Sequence, residues 1–178
     1  MFVLGVDPGL SRCGYAVVEA RPGRHRAVAL GVLRTAPADP VPQRLAELQA
    51  EVCALLDEYA PQVVAIERVF FQHNVRTAMS VGQASGLVMA AAAARGCVVA
   101  EYSPNQVKEA VTGAGGADKA QVQTMVRTLL GLAEDPRPPD AADAAALALC
   151  HLAHAPLARA IGAHPAARPP ATRTGGAR

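Results

Sequence analysis

The sequence predicts an α/β fold, a mixed five-stranded sheet with helices on both faces. Three observations predict it. Three short β-branched runs separated by Gly-rich or Arg/Pro/Gly-rich turns open the chain. Two later apolar runs, at 63–66 and 97–100, alternate with stretches of helical period, the pattern of parallel crossovers. The 178 residues are 51% hydrophobic, enough for one domain with a substantial core.

Each element has its own signal. Phe2–Val6, Gly14–Ala20 and Ala27–Leu33 read as three antiparallel strands in a meander. Pro37, Pro40 and Pro42 then break the chain. From Gln43 to Tyr59, apolar Leu45, Leu48, Val52, Leu55 and Leu56 recur at helical spacing, and Pro61 stops that helix. Val63–Ile66 is a continuous apolar run and reads as a buried parallel strand. Thr77–Ala94 reads as a second helix, with Gly96 as its stop. Cys97–Ala100 is a fifth strand, followed by helices over Asn105–Val111 and Lys119–Leu130. Asp135–Pro139 reads as a loop and Asp140–Ala155 as a final apolar helix. The folded domain is thus expected over 1–155. Residues 156–178, rich in Pro, Ala and Arg without a period, are expected to form a disordered basic tail.

The formal charge of +2 conceals an imbalance. Residues 1–150 hold 13 basic and 15 acidic side chains, whereas 151–178 hold four Arg and no acid. Net charge therefore does not mark the domain as a nucleic-acid binder. Cys13, Cys53, Cys97 and Cys150 are widely spaced with no CxxC pair, which suits reduced thiols in a cytoplasmic protein. Asp7 interrupts the N-terminal apolar run, arguing against a signal peptide. The longest apolar stretch, Leu87–Ala94, is far below the ~20 residues of a membrane span.

Four acids carry the chemistry. Asp7 ends the first strand in GVDPGLSRCG, and Glu67 ends the fourth in AIERVFFQHN. If those strands are adjacent and parallel, both carboxylates emerge at one sheet edge, where sites form in open α/β sheets. Asp140 and Asp143, in PPDAADAAALALCH, share one face of a helix's first turn. Singly, each has an ordinary reading: Asp7 as a turn former, Glu67 as a loop charge, Asp140 as a helix cap, Asp143 as a dipole partner. Together they repel one another. Two like charges at ~4 Å oppose each other by roughly 4 kcal/mol at an effective dielectric near 20. Such a cluster needs raised pKa values or bound cations. All-oxygen ligands suit Mg²⁺ or Mn²⁺, and a pair of such ions can activate water against a phosphodiester.

The blocks GVDPGLSRCGYAVV, AIERVFFQHN, GQASG, QVKEAVTGAGGADKAQVQTMVRTLL and PPDAADAAALALCH, in this order and spacing across about 1–155, resemble the RuvC family of bacterial Holliday junction resolvases. The resemblance implies a ribonuclease H-like fold and a homodimer that nicks two opposed strands of four-way junction DNA in recombination and repair. It implies two Mg²⁺ (or Mn²⁺) ions per site, held by Asp7, Glu67, Asp140 and Asp143. The family's Asp140 position varies and can be His. A branch-migration motor of the RuvA and RuvB type is the implied partner.

The DNA contacts follow. Phe70 and Phe71 lie in the loop after Glu67. One of that loop's apolar residues, Phe71 or Val69, is expected to anchor it. By resemblance, Phe70 is a wedge that stacks on an unpaired base. Lys108 and Lys119, the only lysines, could be ordinary solvated charges. By resemblance they contact phosphates near the scissile bond. Arg76, Arg12 and Arg68 are further phosphate candidates, and Ser85 stands where many relatives carry a basic residue. The small residues up to Ala90–Ala94 either pack on the sheet or, by resemblance, form part of the dimer interface.

Rival classes are weaker. Gly113–Lys119 imitates a phosphate-binding P-loop, but Asp118 replaces its last Gly and Ala120 its Ser or Thr. An actin-like ATPase shares the opening strand and Asp-x-Gly turn but needs a duplicated second domain. A junction-binding scaffold would not keep all four acids. A related RNA nuclease would need neither Phe70 nor a dimer.

Overall fold

Strands β1 (Phe2–Asp7), β2 (Arg12–Glu19) and β3 (Arg26–Arg34) form the antiparallel meander. They belong to a computed structural model that describes residues 1–69 and 75–160, with side chains at 1–69 and 78–155. Helix α1 (Val41–Tyr59) crosses to β4 (Val63–Glu67), and α2 (Val75–Ala94) crosses to β5 (Val98–Tyr102). Helices α3 (Pro104–Thr112), α4 (Lys119–Leu130) and α5 (Pro139–Ala160) complete the chain. The sheet order is β3-β2-β1-β4-β5, with β1, β4 and β5 parallel.

The expected elements are all present, with informative shifts at their ends. β2 starts at Arg12 rather than Gly14, because its ladder to β3 continues as far as Arg12 opposite Arg34. β5 runs on to Tyr102, since Glu101 and Tyr102 still pair with Ile66 and Glu67. Backbone pairing ends a strand, and side-chain hydropathy reports it only indirectly. Pro42 lies inside the first turn of α1 rather than breaking the chain. The first-turn N–H groups have no helical partner, so proline there costs nothing. Pro139 likewise opens α5, which runs to Ala160 rather than ending at Ala155. Residues 161–178 of the expected tail lie outside the described residues.

Two cores lie on opposite faces of the sheet. Leu4, Val6, Cys13, Val17, Val64 and Ile66 pack with Leu48, Val52, Leu56 and Val88 of α1 and α2. Val3, Ala16, Val18, Val63 and Ala65 pack with α3, α4 and α5. Strand side chains alternate between faces, so this parity has a consequence. Asp7 shares the face of Val3 and Gly5, and Glu67 that of Val63 and Ala65. Both acids therefore point to the α5 side.

Helix α5 packs unusually close against one face of the sheet. Ala141, Ala142, Ala144, Ala145, Ala146 and Ala148 are buried along it. Gly5 and Gly14 face it without side chains. A Cβ on Gly5 would stand 1.9 Å from the Ala144 carbonyl oxygen, and one on Gly14 would stand 2.1 Å from that of Asp140. Only alanine against glycine permits this approach, and it sets the start of α5 over the ends of β1 and β2.

The four cysteines are free. Burial pushes the Cys13 and Cys150 thiols up to about 12, so neither is a ready nucleophile. Among the described residues, no helix is long and apolar enough to cross a membrane.

Candidate active site

β1 and β4 run parallel with Val6 opposite Ile66, so Asp7 and Glu67 leave the sheet side by side. α5 delivers Asp140 and Asp143 above them from its first turns. The conditional expectation of one shared sheet edge therefore holds. Asp7 is pushed up to about 7, first by burial and then by Glu67, Asp143 and Asp140, with Lys119 opposing. Glu67 is also raised, by burial and then by Asp143. The four acids thus sense one another electrostatically.

Two cations hold the upper pair. Lys119 Nζ donates to Asp143 Oδ2 at 2.7 Å, which raises the lysine's own pKa. Arg12 Nε donates to Asp140 Oδ2 at 3.1 Å, and an Nη joins the same oxygen. That contact holds Asp140 below the usual carboxylate range. Asp140 is the second residue of α5 rather than the residue before it, and its carboxylate accepts from Arg12 and from its own backbone N–H.

The lysines arrive by capped helices. Ser103 and Gln106 form a capping box that starts α3 and so places Lys108. Asp118 and Gln121 do the same for α4, which puts Lys119 at its first position. Asp118, the residue that spoils the P-loop pattern, is therefore a helix cap. A cleft of about 280 Å³ is lined by Glu67, Asp143, Lys108 and Lys119 together with Val107 and Val122. Both lysines thus meet two of the acids, and Lys108 has no ion-pair partner among the described residues.

The other candidates divide. Arg68 is exposed beyond β4, and its backbone N–H is tied to the Tyr102 carbonyl. Arg12 is engaged with Asp140. Ser85 is buried in α2, out of reach of a surface ligand. Phe70, Phe71 and the side chain of Arg76 lie outside the described residues, whereas Val69 is half-buried. Gly5 and Gly14 were not among the sequence candidates, although their absent side chains place α5. Their signal was a glycine interrupting the apolar face of a strand.

No three His, Cys, Asp or Glu side chains among the described residues form a ready metal cage. Asp140 and Asp143 are held instead by Arg12 and Lys119. The donor set still fits a hard divalent cation in kind. It is four carboxylates, and burial and mutual repulsion leave Asp7 short of countercharge.

A sheet of this order, with acids at the carboxyl ends of β1 and β4 beneath the start of a helix, is a ribonuclease H-like fold. The family can be stated more closely. The model of the family described as crossover junction endodeoxyribonuclease RuvC matches residues 3–151, and the chain belongs to that family. It is 56% identical over 153 residues to the crossover junction endodeoxyribonuclease of Salinispora arenicola, covering 85% of this chain and 87% of that one. The Thermus thermophilus RuvC structure superposes with TM-score 0.81 at 40% identity, covering 88% of this chain and 96% of that chain. The same protein in complex with Holliday junction substrate superposes equally well, at TM-score 0.81 and 37% identity.

Proposed function

We propose that this chain is a structure-selective endonuclease that resolves four-way DNA junctions by paired, symmetric nicks, using two divalent ions per site. One observation carries the reading: Asp7 and Glu67 emerge from adjacent parallel strands under Asp140 and Asp143, in a chain of the crossover junction endodeoxyribonuclease family. Asp7, Glu67, Asp140 and Asp143 would hold Mg²⁺ or Mn²⁺. Bound ions of this kind activate water and stabilise the leaving oxygen of a phosphodiester.

The chain's own groups set up that reaction. Burial keeps Asp7 undercompensated, so the site favours added positive charge. Lys119 and Arg12 restrain Asp143 and Asp140, which keeps the α5 acids over the strand ends. Lys108, in the same cleft and without an ion-pair partner among the described residues, is proposed to meet a backbone phosphate. Phe70, three residues after Glu67, is proposed to wedge at the junction centre. Phe70→Ala should slow cleavage more than it weakens binding; equal cleavage by mutant and wild type on a mobile junction would count against the wedge.

A homodimer accounts for the pairing of nicks. Gly82 and Gly86 support it: they are exposed in α2, and a Cβ on either would meet nothing within 4 Å among the described residues. Residues 161–178 are proposed to be a basic tail dispensable for cleavage. The chain would act in the cytoplasm, downstream of a branch-migration motor.

Incubation with a labelled four-way junction, with and without Mg²⁺, tests the reading against duplex and RNA–DNA hybrid controls. Symmetric nicks in the junction alone, dependent on the metal, are expected. Equal cutting of plain duplex or of the hybrid would overturn it.

A further inference from the structure

A buried polar pair takes no part in the chemistry described above. Tyr102 Oη and His151 Nδ1 share a hydrogen bond of 2.8 Å. His151 is 4% exposed, and Tyr102 is half-buried against the core on the α5 side of the sheet. Burial pushes the Tyr102 phenol up to about 12, so it keeps its proton. Its ring also packs against two α5 histidines, 6.1 Å from the His151 ring centre and 5.6 Å from that of His154. Helix α5 thus grips the last residue of β5.

Each partner stands on or beside an element that carries an acid. Tyr102 pairs with Glu67 across the parallel β4–β5 ladder, and its carbonyl accepts from the Arg68 N–H at 2.8 Å. The backbone of Tyr102 is therefore stitched to β4 where Glu67 leaves the sheet. On α5, Asp140, Ala144, Leu147 and His151 recur at helical spacing, so His151 continues the stripe that begins at Asp140. Ala144 and Leu147 of that stripe are buried in the same core as Val63 and Ala65. His151 lies about 12 Å along the helix axis from Asp143. One hydrogen bond thus links the strand beside Glu67 to the helix that bears Asp140 and Asp143.

The other contacts of α5 do not duplicate this link. Alanine against Gly5 and Gly14 permits close approach, but apolar contact is non-directional. Lys119 holds Asp143 through Oδ2, an oxygen that an entering cation would also claim. The Tyr102–His151 bond lies outside the four acids and competes with no ligand. We propose that Tyr102 and His151 are positioning residues, their bond a strut that fixes the separation of Glu67 from Asp140 and Asp143 for a divalent cation. Such constellations must be held within about 0.5 Å of productive geometry, so a broken strut should register first as weaker metal binding. The strut rests on the junction-nuclease reading above.

The test is a Mn²⁺ titration of the full chain without DNA, read from the paramagnetic resonance of the free ion. Tyr102→Phe removes one oxygen and keeps the ring. It should bind Mn²⁺ several-fold more weakly, bind a four-way junction in EDTA as wild type does, and need correspondingly more Mn²⁺ for cleavage. His151→Leu should behave alike, whereas His151→Asn, whose amide can stand in for Nδ1, should recover most of the wild-type Mn²⁺ affinity. The double variant Tyr102→Phe with His151→Leu should be no weaker than the weaker single variant, because both remove one shared bond. Tyr102→Phe protein that melts at a lower temperature yet titrates with Mn²⁺ as wild type does would overturn the strut and leave a structural contact. Additive losses in the double variant would overturn it as well. If His151→Leu fails to fold, Tyr102→Phe and His151→Asn decide. Wild type that binds no Mn²⁺ refutes the metal-dependent reading and the strut with it, whereas wild type that binds Mn²⁺ beside an indifferent Tyr102→Phe refutes only the strut.

Discussion

Asp7 shows how one residue ties stability to chemistry. Its carboxyl is raised to about 7, chiefly by burial and then by its acidic neighbours. Unfolded, it would ionise near 3.8. Between those values the unfolded chain binds fewer protons than the folded one, so the metal-free fold loses stability as pH rises through that window. Asp7→Asn removes the penalty. It should raise the melting temperature of metal-free protein at pH 8 and change it little near pH 4, as read by thermal melts. It should also abolish cleavage while junction binding persists in a gel-shift assay. Normal nicking by Asp7→Asn would remove Asp7 from the site. The acids were legible in the sequence because their residue type and their places at strand ends and on one helix turn already imply repulsion. Arg12 and Lys119 as their partners were not, since both contacts join residues far apart in the chain. The Tyr102–His151 pair was still less legible: a lone His on an apolar helix shows no partner until β5 lies beside it.

At the level of elements, the site depends on how closely α5 approaches the sheet. Strands and helices were legible from their periods, and several of their ends moved where backbone pairing or a first-turn proline overrode hydropathy. The approach itself was not legible, because Gly5 and Gly14 acquire meaning only against Ala144 and Asp140 more than a hundred residues later. Both glycines predict measurable strain. Gly5→Ala would drive a Cβ into the helix backbone, and overpacking of this kind costs typically about 1–3 kcal/mol. Chemical denaturation should register that loss. Gly14→Ala presses on Asp140 itself, so cleavage should demand a higher metal concentration beyond any loss of stability. A metal titration that matches wild type, in protein shown to be folded, would separate Gly14 from the site. The capping boxes at Ser103 and Asp118 perform the complementary task, fixing the helix starts that carry the lysines.

Across the whole molecule, charge is arranged by location rather than by sum. Acids stand at the carboxyl ends of β1 and β4, with Lys108 and Lys119 in the same cleft and Arg12 against Asp140, so a small net charge conceals a local track of acids and cations. One such track accounts for one nick; paired nicks require two, and α2 is where the second copy is proposed to dock. Glycine within a helix costs about 1 kcal/mol relative to alanine, and Gly82 and Gly86 meet nothing among the described residues that would justify it. Close approach of a partner helix would. Gly86→Leu should therefore give a monomer in sedimentation at concentrations where wild type is dimeric. Its intrachain fold should survive, because the position is open. On a supercoiled plasmid with an extruded cruciform, wild type should cut both strands within one binding event and release linear DNA. The Gly86→Leu protein should accumulate nicked circles instead, each from one unpartnered site. A Gly86→Leu protein that stays dimeric and still linearises the plasmid would move the interface away from this face of α2.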